Sequence, residues 1–136
     1  DLISVILEKG IAVVNSAKEI ILQPMTHIAQ LREFLKNNGF KILDEALVSE
    51  KNKIYTIIKV VKGESQYKTE FDFIVSPILI QNKDKLLPEY ILKLLNKYKN
   101  EINGLSKASD VNEEQLRINN DIVSKLENLY EITKNY

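Results

Sequence analysis

The chain has 136 residues, which is enough for one ordinary domain or for a small lobe with an appendage. Its 19 basic and 19 acidic residues balance, so no global charge indicates a nucleic-acid partner, although a neutral protein can still carry a local basic stripe. Cysteine is absent, which excludes disulfides, a thiolate nucleophile and a cysteine-based zinc site, and fits a reducing, cytoplasmic location.

The sequence predicts no membrane segment and no secretion signal. No apolar stretch approaches the roughly 18 residues that a membrane span requires. Residues 1–7 lack the basic lead-in and the small-residue cleavage site of a signal peptide. The chain opens without methionine and directly in an apolar pattern, which suggests a fragment whose beginning lies elsewhere.

The first elements resemble the middle of an α/β sheet. Apolar residues at helical spacing predict a helix over residues 2–16, with Gly10 as a weak point or an early stop. Ile20 to Leu22, closing with Gln23, is a short apolar strand of the kind that is buried inside a sheet. Pro24 ends it, because proline cannot donate to a ladder. Ligands in open α/β sheets bind outside the carboxyl ends of strands, so this strand-to-helix turn is the first candidate site.

A helix and an antiparallel strand pair follow. Thr26 is the expected N-cap, and Gly39 is expected to end the helix with a positive φ. Residues 40–49 and 53–62 read as two strands with a short polar connection, as in a hairpin. Both faces of the second strand are largely apolar, which predicts cover on both sides. The inward face of the helix is predicted to hold four apolar residues: Ile28, Leu31, Phe34 and Leu35.

The rest of the chain is predicted to be a connector and two helices. Residues 64–84 are mixed in character and are expected to pack on the sheet through Tyr67, Phe71 and Phe73. From Leu86 onward the spacing is helical, with a polar break at residues 106–110 in which Ser109 or Asp110 is the expected cap. Two long helices joined by a short loop predict an antiparallel hairpin with coiled-coil packing.

Five short motifs occur in the order of one known family. They are Ile20–Pro24, Leu31–Leu35, Asn38–Phe40, Asp44–Val48 and Lys53–Ile58. This pattern resembles the bacterial tRNA (adenine(22)-N1)-methyltransferases, the TrmK family. The resemblance implies a class I, Rossmann-like methyltransferase domain that uses S-adenosylmethionine (SAM), followed by a C-terminal helical hairpin. It extends from residue 1 to about residue 62 at the level of motifs.

The chain also departs from the family pattern. The Asp- and Gly-rich SAM loop and the Gly-Met-Gly-Gly turn are missing, Met25 stands where Asn is common, and Phe34 stands where Trp is common. The resemblance therefore implies the second half of a methyltransferase domain over 1–63, a connector over 64–84 and a two-helix tail over 85–136. Most of the SAM site is expected outside this chain, and residues 1–136 alone are expected to bind SAM poorly.

The candidate substrate site is the turn after the first predicted strand. Methylation of adenine N1 requires an extruded base, and the Gln23 side chain offers an amide donor and acceptor for its edge. Met25 and Thr26 are candidate lining residues of the same substrate pocket. Alternatively, Gln23 satisfies local backbone groups, Pro24 only shapes the turn, and Thr26 caps the helix. His27 is a candidate proton acceptor or an ordinary surface residue. No second metal-ligating residue lies near it in the sequence, so a metal site is not expected there.

Basic residues are the candidate tRNA contacts. Arg32 is expected either to meet a phosphate or to pair on the helix surface with Glu33. A cluster of lysines at the start of the tail would grip the tRNA backbone, or would be a solvated helix flank diluted by Glu89 and Glu101. The cluster comprises Lys83, Lys85, Lys93, Lys97 and Lys99.

The sequence thus favours part of a SAM-dependent methyltransferase that acts on N1 of an adenine in the tRNA D-arm. The alternative is a non-catalytic interaction or oligomerisation module. An exposed stripe of Ile118, Ile122, Leu129 and Ile132 would favour that alternative, whereas exposed lysines would favour tRNA. An uncovered sheet edge also predicts self-association.

Overall fold

The computed structural model describes residues 12–16, 19–24 and 27–136, and only the backbone of 12–16. Ala12–Ser16 is a β-strand, β1, so the predicted helix over 2–16 is wrong there. Residues 2–11 of that prediction lie outside the described part. Helical spacing of apolar residues was misleading because Val13 and Val14 are β-branched and favour a strand. The strand pairs residue for residue with the next one, from Ala12 opposite Gln23 to Ser16 opposite Glu19.

Four strands form one sheet with the order β1-β2-β4-β3. The other three are β2 (Glu19–Gln23), β3 (Phe40–Glu50) and β4 (Lys53–Lys62). Every neighbouring pair is antiparallel, so β2 and β3, which both flank β4, run in the same direction. The predicted internal position of β2 and the predicted β3–β4 hairpin are confirmed.

The helix after β2, α1, spans Ile28–Asn37. The prediction that Thr26 is its cap is wrong, because the chain passes through the left-handed region at His27 (φ 57°) and the helix begins one residue later. The His27 side chain makes no capping bond, and its carbonyl accepts from the backbone N–H of Leu31 at 3.1 Å. The helix stop is as predicted, with Gly39 at φ 78°.

The core of this unit lies on the face of the sheet that α1 covers. It joins strand residues to the inward face of α1 and to two aromatics of the connector, and comprises Leu22, Ile42, Ile58, Val60, Leu31, Leu35, Tyr67 and Phe73. The opposite face is less covered, with Ile21 37% and Leu43 43% exposed. On β4 itself, one face is buried at Thr56, Ile58 and Val60, whereas the residues of the other face, 55, 57, 59 and 61, are only half-buried. The prediction that β4 is covered on both sides therefore holds fully for only one face.

The connector contains two short helices, α2 (Glu70–Ile74) and α3 (Pro77–Gln81). Thr69 and Asp72 form a capping box at the start of α2, and Ser76 caps α3 with Pro77 in its first turn. α2 contacts α1 and α3 contacts β3, so the connector packs on the sheet as predicted. The first compact unit ends at Asp84.

The second compact unit, Lys85–Tyr136, consists of two helices that pack against each other. They are α4 (Leu87–Lys107) and α5 (Glu113–Thr133). The predicted caps Ser109 and Asp110 are wrong, because the side-chain oxygen of Asn112 accepts from the Gln115 N–H at 3.0 Å. None of the helices in the described residues is long and apolar enough to span a bilayer.

Candidate functional site

The candidate substrate edge lies where β2 ends and α1 begins. Gln23 is half-buried at the last position of β2, Pro24 is buried, and His27 is exposed at the helix start. Met25 and Thr26 lie outside the described residues. The edge thus presents one amide side chain and one imidazole, and the described residues contain no cluster of His, Cys, Asp or Glu that could hold a metal ion.

The largest cluster of buried polar side chains in the described residues is centred on Arg32 of α1. The side chains of Arg32 and Glu45 are fully buried, and Nη2 of Arg32 lies 2.7 Å from Oε1 of Glu45. Nε of Arg32 donates to both Glu45 oxygens, at 3.3 and 3.2 Å. Nη1 donates to the backbone oxygen of Phe73 at 2.6 Å. The guanidinium therefore joins α1, β3 and α2.

Tyr67 and Ser76 complete this cluster, which we call the buried network (Arg32, Glu45, Tyr67, Ser76). The Tyr67 hydroxyl donates to Oε2 of Glu45, which leaves the Ser76 hydroxyl to donate to the Tyr67 oxygen. Burial, and next the charge of Glu45, raise the pKa of Tyr67 above its ordinary value, so that the phenol remains a donor. No buried side-chain polar atom of the described residues lacks a partner.

The buried network corrects the expectation for Arg32. Both sequence interpretations placed this residue on the helix surface, whereas it is 1% exposed and paired with Glu45 rather than Glu33. A phosphate cannot reach a guanidinium that is enclosed in this way. A signal is present in the sequence, since Arg32 lies four residues after Ile28 and three before Leu35, on the inward stripe of the helix.

The predicted tail lysines are placed differently. Lys85, Lys93, Lys97 and Lys99 are all exposed on the second unit. The Lys97 ammonium lies 5.2 Å from the centre of the Tyr98 ring. By contrast, the apolar stripe that would favour a protein-binding module is interrupted.

That interruption lies at Leu129. Ile132 is 68% and Ile118 37% exposed, but Leu129 between them is only 9% exposed. A continuous apolar docking stripe is therefore not formed on α5.

Comparison with known proteins agrees with the fold of the sheet. A sequence model of the TrmK family, described as tRNA (adenine(22)-N(1))-methyltransferase, matches residues 1–129. A Mycoplasma pneumoniae protein named as a candidate tRNA methyltransferase is 37% identical over 92 residues, which are 65% of this chain and 43% of that protein.

Two solved structures share the fold. A Streptococcus agalactiae protein of the NADB-Rossmann superfamily is 27% identical with a TM-score of 0.67, over 83% of this chain and 48% of that one. A Streptococcus pneumoniae candidate tRNA (m1A22) methyltransferase, solved with SAM, is 23% identical with a TM-score of 0.68, over 95% and 55%. The fold is a partial Rossmann-like α/β sheet, as predicted, and the chain spans about half the length of these relatives. The chain belongs to the TrmK family of tRNA (adenine(22)-N(1))-methyltransferases.

Proposed function

We propose that the protein is a SAM-dependent methyltransferase that modifies N1 of an adenine in the D-arm of tRNA. The observation that carries the proposal is the family match over residues 1–129, and a relative of the same fold binds SAM. The chain contributes the substrate-facing edge of the sheet and the helical tail. In this proposal most of the SAM site lies outside residues 1–136.

In this proposal the turn from Gln23 to His27 holds the extruded adenine, together with Pro24, Met25 and Thr26. A glutamine amide can pair with the N6 and N7 edge of adenine, which leaves N1 free. SAM supplies a methyl group on a sulfonium. The N1 lone pair forms the new bond to the methyl carbon as the S–CH3 bond breaks, so the positive charge passes from sulfur to the adenine ring.

The tail would hold the tRNA backbone through Lys85, Lys93, Lys97 and Lys99, which are exposed. The same proposal includes coiled-coil packing of α4 and α5 and a cytoplasmic location. It also divides the chain into half of a methyltransferase domain (1–63), a connector (64–84) and a tail (85–136). Self-association through an uncovered strand edge also stays a prediction, and β1 and β3 are the edges of the described sheet.

The test is methyl transfer from labelled SAM to an unmodified tRNA transcript by the protein that carries these residues. We expect label in a transcript with adenine at position 22 and a reverse-transcription stop there, because N1-methylation blocks base pairing. A transcript with guanine at that position is the control and should stay unlabelled. Equal labelling of both transcripts, or labelling of neither, would contradict the proposal.

The role of Gln23 has its own test. Gln23→Ala should lower kcat/KM for tRNA by about 5- to 150-fold, which corresponds to the roughly 1–3 kcal/mol of a bidentate base contact. Gln30→Ala, a glutamine exposed on α1, is the matched control and should leave kcat/KM unchanged. Similar values for the two variants would mean that Gln23 only satisfies local backbone groups.

A further inference from the structure

The β3–β4 hairpin extends past the candidate substrate edge. β2 pairs with β4 only at residues 58–60, with Leu22 opposite Ile58. β3 and β4 continue pairing to Glu50 and Lys53. In the same register Gln23, the last residue of β2, is level with Ile57, so Lys53 at the tip lies four residues, or about 13 Å, beyond the end of β2.

The end of this hairpin carries two lysine side chains in and beside a tight turn. Residues 49–54, which we call the hairpin arm, include Lys51 and Lys53, both exposed. Lys51 and Asn52 have φ of 51° and 65°, the left-handed pair of a tight two-residue hairpin turn. The paired strands on either side hold the arm in one position. Within the described part of the chain, neither lysine forms a salt bridge, and Glu50 is the acidic residue in the arm.

We infer that the hairpin arm binds the RNA backbone beside the nucleotide held at the Gln23 edge. This inference rests on the proposed function, because it takes the Gln23–Pro24 turn as the place of the target base. When an extruded base lies at the edge, the phosphates that flank it are only one or two nucleotides away, a distance that the arm can reach. Lys51 and Lys53 supply positive charge for these phosphates, and the negative charge of Glu50 reduces that attraction.

The experiment compares charge changes within the arm with one at the far end of the same strand. Lys51→Asn together with Lys53→Gln removes both charges and keeps a residue that tolerates the left-handed turn. Lys62→Gln is the matched control, since Lys62 is exposed on β4 about 30 Å from Lys53. Glu50→Gln removes the opposing charge. The readouts are KM and kcat for tRNA, and the salt dependence of binding to a fluorescent tRNA.

We expect the double variant to raise KM several-fold with kcat unchanged, and to reduce the slope of log affinity against log salt by about 1 per lysine. Glu50→Gln should shift KM in the opposite direction, which a merely destabilised fold would not do. Lys62→Gln should match the unaltered protein. If the double variant and Lys62→Gln have the same KM and the same salt slope, the inference is wrong.

The two proposals fail separately. An unaltered protein that methylates tRNA, with an arm that can be neutralised without effect, would retain the proposed function and overturn the role of the arm. A protein that transfers no methyl group, yet binds tRNA with an arm-dependent salt slope, would overturn the proposed function and support the arm as an RNA contact.

Discussion

Replacing Arg32 by methionine should be among the most damaging single changes in the first unit. The substitution removes three N–H···O contacts to Glu45 and the bond to the Phe73 carbonyl. Glu45 would then be a buried carboxylate held by the Tyr67 hydroxyl alone. Breaking a buried pair in this way costs about 3–5 kcal/mol, because the remaining charge has lost its partner. Domains of this size have a free energy of unfolding of about 5–15 kcal/mol, so this loss is a large fraction of their stability.

The double variant Arg32→Met with Glu45→Met should recover part of that loss. It leaves no buried charge, and the Tyr67 hydroxyl keeps its bond to Ser76. Replacement of a buried ion pair by apolar residues of similar volume is often neutral or even stabilising. We therefore expect the double variant to be more stable than Arg32→Met by about 2 kcal/mol, because groups in direct contact do not lose stability additively.

Urea unfolding followed by circular dichroism measures these differences, and hydrogen exchange localises them. Slowly exchanging amides of β3 and β4 should lose protection in Arg32→Met while those of α5 do not. Arg117→Met, which removes an exposed ion pair with Glu114, should leave the urea midpoint unchanged. Equal urea midpoints for Arg32→Met and Arg117→Met would contradict the role of the buried pair. So would a double variant whose loss equals the summed losses of Arg32→Met and Glu45→Met.

Three further predictions follow from individual residues. The pKa of Tyr67 is raised on folding, so the contribution of its hydroxyl to stability is complete below the unfolded pKa of about 10 and falls by about 1.4 kcal/mol per pH unit above it. Urea titrations should therefore show a smaller difference in stability between the unaltered protein and Tyr67→Phe at pH 11 than at pH 9. A difference that stays constant would contradict this. Gly39→Ala should lower the stability by about 1 kcal/mol, because Gly39 has φ 78°. Gly104→Ala should raise the stability by about 0.5–1 kcal/mol, because Gly104 lies inside α4 and no atom is within 4 Å of the added carbon. Urea midpoints that shift in the same direction in both variants would contradict this. Asn119→Ala should lower the stability of the helical pair by about 1–2 kcal/mol, since Asn119 is 2% exposed and bonded to Gln115 and Glu101; unchanged hydrogen exchange in α5 would argue against a role for these bonds.

Elements defined by local signals were predictable from the sequence. The strand before Pro24, the stop at Gly39 and the hairpin over residues 40–62 each depend on neighbouring residues, and the structure confirms them. The strand over residues 12–16 was not predictable in this way. Its apolar spacing also fits a helix, and the strand preference of the β-branched Val13 and Val14 takes effect through pairing with β2.

Helix caps and the buried network were harder for a different reason. The N-caps at His27 and Asn112 lie one to three residues from the predicted ones, and such shifts depend on the conformation of the preceding loop. The bond from Arg32 to the Phe73 carbonyl spans 41 residues of sequence. No periodicity reveals that a charge on one inward face meets an opposite charge on another.

α1 links the buried network to the candidate substrate edge. The helix starts five residues after Gln23, the last residue of β2, and one turn later Arg32 fixes it to β3 and to the connector. A shift of α1 would therefore move the turn that carries the candidate base contact, and displacements of about 1 Å can cost 100-fold in rate. Two of the five motifs that carried the resemblance contain Arg32 and Glu45. Part of what makes this sequence resemble its family is thus an interior that holds the edge in place, rather than residues that touch the substrate.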